Sequence, residues 1–439
     1  VDLQKSILFD RRKTSDYPGV TVLTKRVEED ISLDGIPGST KHTRQALKTT
    51  IMNLLEADQQ GKCVAVSRRT ADYTHNKRYG QLHWRRQVVT PILDRMEERG
   101  WTHQWIGFKN HETGVGRVTR VEATDRLREY ATTNLGETPL REVVAHLPWE
   151  EVIHLKNSNK HLIGYKDTRD TRTWRGRLTK YNNLLNHTTL TLPHLTTSSS
   201  STPSTVTGKN TPVMVGYPFD YVDKSKQLYR VFNDSSFRRG GRFYGAAYQG
   251  LSGDQRATLL INGNPVKELD YSSLHLSMVY HLAGLHLPDG SDPYVLLDDP
   301  RTRKLGKVLS LIALNASSRG AAASAFLGEL HQSRMSEKPE KQELARRYDQ
   351  LGYSISDLYD SMLAEHHRVA SSFSSGVGIK LQYEDSKLAD KVLDHFTHRD
   401  IPVLGVHDSF IVEERQAADL EAKMMEVYEQ RFGFSPKVK

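Results

Sequence analysis

A chain of 439 residues is long enough for two or three domains, and 37% hydrophobic with 26% charged residues is the make-up of a folded protein rather than a disordered one. A formal net charge of +8 favours polyanionic partners, nucleic acid ahead of anionic membrane. The lone Cys63 excludes a disulfide framework within the chain and any cysteine-based zinc site, no apolar run approaches the ~20 residues of a membrane span, and the scattered histidines form no HExxH or HxH cluster. A cytoplasmic protein without a membrane partner is expected. The chain starts Val1-Asp2-Leu3-Gln4-Lys5, with neither methionine nor an apolar signal segment, as a processed or trimmed chain does.

In chain order, Thr43 to Ala57 places Ala46, Ile51, Leu54 and Leu55 at roughly helical spacing. Ser67 to Thr74 opens with a serine cap candidate and is expected as a second helix. Gln87 to Glu98 repeats Val88/Val89, Ile92/Leu93 and Met96 as a helical stripe, and Gly100 stops it. Trp101 to Phe108 and Arg117 to Glu122 then read as two strands joined by a turn over Lys109 to Gly116. Helices followed by a basic hairpin resemble a winged helix-turn-helix, in which a helix enters a groove and the hairpin touches phosphate. Arg85, Arg86, Arg117 and Arg120 are the candidate nucleic-acid contacts; the plainer alternative is solvated surface arginines. Trp174 to Leu185 is a basic helix, suited either to a nucleic-acid backbone or to solvent. Thr196 to Thr205 is small, polar and broken by Pro203, a linker or mobile loop. The expected division is 1–195, helical and winged-helix-like; 196–212, the Ser/Thr-rich linker; and 213–439, the segment that carries chemistry.

Val266 to Tyr271 alternates as a strand, with Glu268 and Asp270 on one face, and a helix follows with Leu274, Met278 and Leu282 at four-residue spacing. Asp270 therefore stands at a strand end, rigid and exposed. Ile401 to Glu413 reads as a hairpin with His407-Asp408-Ser409 at its tip, followed by an amphipathic helix from Gln416 to Gln430. Two carboxylates so placed can converge on a pair of magnesium ions, one activating a hydroxyl and the other stabilising a leaving oxygen. Between them, Arg303 and Lys307 are four apart and share a helix face, where two cations can grip a triphosphate. Each feature also has a plain reading: Asp270 as a helix cap, Asp408 as a turn residue, Arg303 and Lys307 as a solvated face, Glu268 as a structural charge.

Taken together, the order acidic strand, R-x-x-x-K helix and H-D hairpin resembles that of family A DNA polymerases and the single-subunit phage-type RNA polymerases, over roughly residues 225 to 439. Asp270-Tyr271-Ser272 is similar to motif A in its DNA-polymerase spelling, Arg303 to Lys307 to motif B, and His407-Asp408-Ser409-Phe410 to motif C in its RNA-polymerase spelling. Gly241-Arg242-Phe243-Tyr244 is similar to the G-R-V-Y stretch before the palm, and Asp292-Pro293-Tyr294 stands where the DNA enzymes have D-x-H. The resemblance implies an α+β fold, a palm with an antiparallel sheet and helical fingers inserted between motifs A and C. It implies two Mg2+ ions (or Mn2+) held by Asp270, Asp408 and the carbonyl of Tyr271. It also implies a nucleoside triphosphate held by Arg303 and Lys307, with Lys307 a candidate general acid, Arg242 on template or primer, and His407 at the primer end. His275 stands where the DNA enzymes place the glutamate that excludes the ribose 2′-hydroxyl, and Asn315 where the family places tyrosine; both are expected to bear on the nucleotide. The expected function is a template-directed polymerase or primase acting on a nucleic-acid template, with RNA synthesis slightly favoured over DNA synthesis. A two-metal nuclease, and a nucleic-acid-binding replication factor with a degenerate palm, are the alternatives.

Overall fold

The computed structural model describes all residues except 1, 2, 4, 74–77, 80–83, 110–115, 139, 193–204, 209–210, 215–224, 289–291 and 337–338. It is a mixed α and β protein whose small sheets are mostly antiparallel. In the N-terminal part, β1 (Ser6–Leu8), α1 (Pro18–Ile31), α2 (Thr40–Gln59), β2 (Cys63–Val66), α3 (Arg86–Glu98), β3 (Thr102–Trp105), β4 (Thr119–Ala123) and α4 (Asp125–Leu135) follow one another. The helix stripes expected for α2 and α3 are buried faces: Ala46, Ile51 and Leu54 on one, Val88, Ile92 and Met96 on the other. Ser39 caps α2 by accepting the His42 N–H. Ser67 to Thr74 is not a helix; only a short 3-10 turn, Thr70–Asp72, forms there, and Thr74 lies outside the described residues.

The expected hairpin forms, with Trp105 opposite Arg120, but its setting differs from a free wing. β4 pairs with β3 on one side and β2 on the other, and β1 adds in parallel to β2, giving the order β1–β2–β4–β3. Thr119, Val121 and Ala123, the alternate residues of this strand, are buried against the helices.

The remainder comprises β5 (Ile153–Leu155), α5 (Arg169–Asn186), β6 (Leu190–Thr191), β7 (Tyr229–Asn233), β8 (Ser236–Tyr244), β9 (Leu260–Ile261), β10 (Asn264–Asp270) and α6 (Leu274–Leu282). The helices α7 (Arg303–Asn315), α8 (Arg319–Arg334), α9 (Pro339–Leu351), α10 (Ile355–Glu365) and α11 (Gly378–Thr397) come next, then β11 (Leu404–Val406), β12 (Ser409–Glu413) and α12 (Ala417–Phe432). An antiparallel sheet runs β6–β9–β10–β12–β11, and a smaller one runs β8–β7–β5 with β7 and β5 parallel. The helices α7 to α11 are inserted between β10 and β12, the two central strands of the larger sheet.

Two hydrophobic cores organise the chain, one from Ile7 to Val144 and one from Val152 to Tyr428. The divide is therefore near residue 150, not 195. Leu178, Tyr181 and Leu185 of α5 are buried in the second core, Tyr181 Oη donates to the Val403 carbonyl at 2.8 Å, and Asn182 exchanges two 2.9 Å hydrogen bonds with the main chain of Leu228. Two of the basic side chains of α5 are also committed: Arg175 to Glu151 and Asp167, and Arg177 to Asp390 and Asp394. Trp174 stacks on Phe232. The core needs this helix more than a nucleic-acid backbone could use it. Leu185→Ala is expected to cost about 2–5 kcal/mol in the C-terminal unit. Fragment-resolved hydrogen exchange checks this; protection lost only in residues 18–135 would place α5 wrongly.

Of the Ser/Thr-rich segment, 193–204 and 209–210 lie outside the described residues, while Thr205–Gly208 and Thr211–Met214 pair as an antiparallel ribbon. Among the described residues no helix is long and apolar enough to cross a membrane.

Candidate active site

β10 and β12 run antiparallel with Leu269 opposite Phe410 and Asp270 opposite Ser409. β11 and β12 are joined by a two-residue turn, His407-Asp408, since Val406 pairs with Ser409. His407 takes φ +59°, a left-handed conformation that lets so short a turn close. The register brings Asp408 beside the end of β10, where Asp270 stands. Burial pushes the Asp270 carboxyl up to about 6, and the charge of Asp408 adds to that; Lys439 and Lys307 act the other way.

The strand end is held from both sides. Ser409 Oγ donates to Glu268, whose other oxygen accepts from Arg256 Nε at 2.8 Å. Glu268 is thus a structural charge. On the opposite edge the Asp270 N–H donates to the Lys439 carbonyl at 2.9 Å, Lys439 N–H donates back to Asp270 at 3.1 Å, and Ser272 N–H donates to Lys437 at 2.8 Å. The Tyr271 ring is buried and its hydroxyl donates to the Met424 carbonyl at 2.7 Å, so only its main chain can serve a ligand.

Arg242, on β8, is fixed from α11 and α6. Its Nε donates to Asp385 Oδ2 at 2.7 Å and an Nη lies 3.0 Å from His275 Nε2. The other ring nitrogen of His275, Nδ1, is buried without a hydrogen-bond partner among the described residues. Burial opposes the charge on Arg242, but Asp385 and Asp408 outweigh it and raise its pKa. Burial would likewise raise Asp385, yet Arg242 and His275 hold it down. His407 stands edge-on to Tyr244, ring centroids 5.8 Å apart, and is pushed down in pKa by burial and by Arg242.

On α7, Leu305, Leu309 and Leu314 are buried while Arg303 and Lys307 are exposed on the other face. Gly306 is required: a Cβ there would sit 2.1 Å from the Tyr294 carbonyl. That close approach sets Asp292 against Arg303, which it ion-pairs. Lys307 is close enough to Asp270 to lower its pKa. Asn315 closes α7, its amide donating to Leu311 at 2.8 Å and lying where a Cβ on Gly378 would go, so it abuts the start of α11.

The structure thus gathers Asp270, Asp408, Arg242, His275, His407 and Lys307 in one region, with Arg303 on the same helix face as Lys307. It does not add the arginines of the N-terminal unit. Arg85 and Arg86 are exposed at the start of α3, Arg86 Nε donating to the Arg68 carbonyl at 2.6 Å. Arg117 lies over the Phe108 ring, and Arg120 is tied to the Leu3 and Val118 carbonyls. Asp385, Tyr244 and Lys439 were missed. Asp385 had a signal, an acid within the stripe Leu381, Leu388, Val392 of an otherwise apolar helix face.

The donor chemistry fits magnesium: two carboxylates side by side, one raised towards protonation by burial and further by the other, with phosphate oxygens left to complete the coordination. Among the described residues no group of three or more His, Cys, Asp or Glu side chains is placed to hold a metal by itself. A cleft of about 750 Å3 between α1 and α2 has no such convergence; its Arg44 is paired to Glu28 at 2.6 Å.

Because the folded pKa of Asp270 lies above its ordinary 3.8, its contribution to stability falls as pH rises from about 4 through about 6. In chelator, Asp270→Asn is expected to gain on the wild type by about 1 kcal/mol between pH 4.5 and 7.5, allowing for the carboxyl's partial exposure. Denaturant titrations at the two pH values check this; a gap independent of pH contradicts it.

No protein-family model matches the sequence, and no curated protein matches it.

Proposed function

We propose that this chain is a template-directed nucleotidyltransferase that joins nucleoside triphosphates on a nucleic-acid template by two-metal-ion catalysis, with a palm built on β10, β12 and β11 and fingers built on α7 to α10. The observation that carries the reading is the meeting of Asp270 and Asp408 across an antiparallel strand pair, with Asp270 raised to about 6. Such a pair is poorly stable by itself and well suited to divalent cations. Magnesium or manganese, when bound, would activate the attacking hydroxyl and stabilise the leaving oxygen.

The chain's own residues do the rest by position and charge. The 3′-oxygen attacks the α-phosphorus, the bond to the bridging oxygen of the β-phosphate breaks, and pyrophosphate leaves while the hydroxyl proton passes to water. Lys307 faces the carboxylates and can protonate the departing pyrophosphate. Arg303 exchanges Asp292 for triphosphate oxygens, one anionic partner for another. Arg242, locked by Asp385, presents a fixed cation to primer or template, and His407 abuts the primer end. His275, beside Arg242, puts no carboxylate against the sugar, which favours ribonucleotides; the D-Y-S spelling of Asp270-Tyr271-Ser272 favours a second reading as a DNA polymerase. The three-stranded antiparallel part of the N-terminal sheet, packed on α2 and α3, supports a winged-helix-like nucleic-acid contact through Arg85 and Arg86.

Incorporation of labelled rNTPs or dNTPs, in separate reactions with Mg2+ or Mn2+ on primed and unprimed templates, tests the reading. The preferred sugar decides RNA against DNA synthesis. Template binding without incorporation of either would leave a binding factor with a degenerate palm.

A further inference from the structure

A groove of about 400 Å3 opens between the tip of the β7–β8 hairpin, the end of α6 and the first turns of α11. Its lining includes Arg238, Arg239, Lys380, Glu384, Tyr383 and Leu282. The charges do not cancel. Glu384 is already neutralised by Lys387 at 3.0 Å and Arg431 at 2.6 Å, and Arg239 is paired with Asp234 at 3.1 Å. Arg238 and Lys380 are exposed and ion-pair with no carboxylate among the described residues. Beside these two cations lie a half-buried tyrosine ring and Leu282, which is 51% exposed at the end of a helix whose other apolar residues are mostly buried.

Uncompensated cations beside an aromatic ring and an apolar side chain suit a ligand that alternates phosphates with flat faces. A duplex hides its base faces inside the stack, whereas an unpaired strand presents them. The groove is built from elements that also build the candidate active site: Arg238 shares β8 with Arg242, and Tyr383 lies on α11, which also carries Asp385, the partner of Arg242.

We propose that this groove binds single-stranded nucleic acid, a phosphate on Arg238 and Lys380 and a base against Tyr383 and Leu282. The assignment of that strand as the unpaired template ahead of the reacting end rests on the polymerase reading; the binding does not.

The test compares fluorescence anisotropy of a labelled blunt duplex with that of the same duplex bearing a 5′ overhang, in DNA and RNA versions. The full chain is expected to prefer the overhang by about tenfold, the size of one good stack with its phosphate contacts. Arg238→Glu with Lys380→Glu is expected to abolish the preference and flatten its salt dependence, Tyr383→Ala to weaken it, and Tyr383→Phe to keep it. All three positions are at least partly exposed, and an unchanged Tm verifies the fold. Because the readout is a ratio, a general loss of affinity from added negative charge cancels. A wild-type protein without overhang preference, or a preference that survives the double charge reversal, overturns the proposal. Asp408→Ala separates the two readings. Incorporation lost in that variant with overhang preference retained supports both. A preference that the groove variants abolish in a wild-type protein that incorporates nothing keeps the groove and sinks the polymerase. Incorporation in a protein whose preference ignores the groove variants does the reverse.

Discussion

Asp408→Ala is expected to lower nucleotide incorporation by about a thousandfold or more, to the background of the assay. The side chain sits on a two-residue turn whose flanking residues, Val406 and Ser409, stay paired without it. No described hydrogen bond holds the Asp408 carboxylate, so the sheet does not depend on it, and Tm is expected to change little. The isosteric Asp408→Asn asks the sharper question, because it keeps shape and removes charge. It is expected to be as inactive as the alanine variant. It also removes the like charge that helps raise Asp270, so magnesium-dependent stabilisation, visible as a rise in Tm with the wild type, is expected to vanish in both variants. Incorporation within tenfold of wild type by either would exclude the carboxylate pair as the reacting centre.

The largest stability effect is expected at Arg230, where replacement by alanine should cost about 3–5 kcal/mol. This arginine is buried in β7 and ties three elements together. Its Nε donates to the Gly241 carbonyl at 2.7 Å, an Nη reaches Ser386 Oγ at 3.1 Å, and another lies 3.3 Å from Asp390. Trp174, Phe232 and Phe243 surround the guanidinium, each ring centroid about 5 Å away. Removing it empties a cavity and leaves Asp390 short of a partner, though Arg177 remains at 2.7 Å. Arg230→Met with Asp390→Leu is expected to recover part of the loss, since two apolar groups need no counter-ion. Denaturant melts of the two single variants and the double would measure that coupling. Additive losses would mean that the pair contributes nothing as a pair.

The parts of this molecule legible from sequence were those governed by short-range rules. Alternation located β10, four-residue spacing located α6, and the two apolar runs flanking His407-Asp408-Ser409 located the β11–β12 hairpin, whose strands are buried throughout. The same rules located α3 and the hairpin after it. They could not say that β4 would acquire β2 as a second neighbour, since pairing partners are chosen by long-range packing. They placed a domain boundary at the low-complexity run, yet α5, which lies wholly before that run, packs into the second core through Leu178, Tyr181 and Leu185. Composition marks where the chain is loose, not where a core ends. The pairing of Lys437 and Lys439 with Asp270 was equally invisible, resting on main-chain groups that every residue has. Arg85, Arg86, Arg117 and Arg120 show the opposite limit: charge pattern found them, but only geometry distinguishes the exposed pair from Arg120, which is spent on carbonyls.

The partnership of β10 with β12 spans the whole helical insertion; Glu268 and Ser409, which touch, are 141 residues apart in the chain. A strand pair that must wait for so long a loop to close is slow to form and cannot form at all on a ribosome until its second member has emerged. During synthesis the N-terminal unit, whose core ends at Val144, is free to fold early, while β10 is made with its apolar face bare and its partner still unwritten. Translation paused within the insertion would therefore release a species with a finished N-terminal unit and an open sheet edge, a candidate for chaperone capture, in which neither carboxylate has yet met the other.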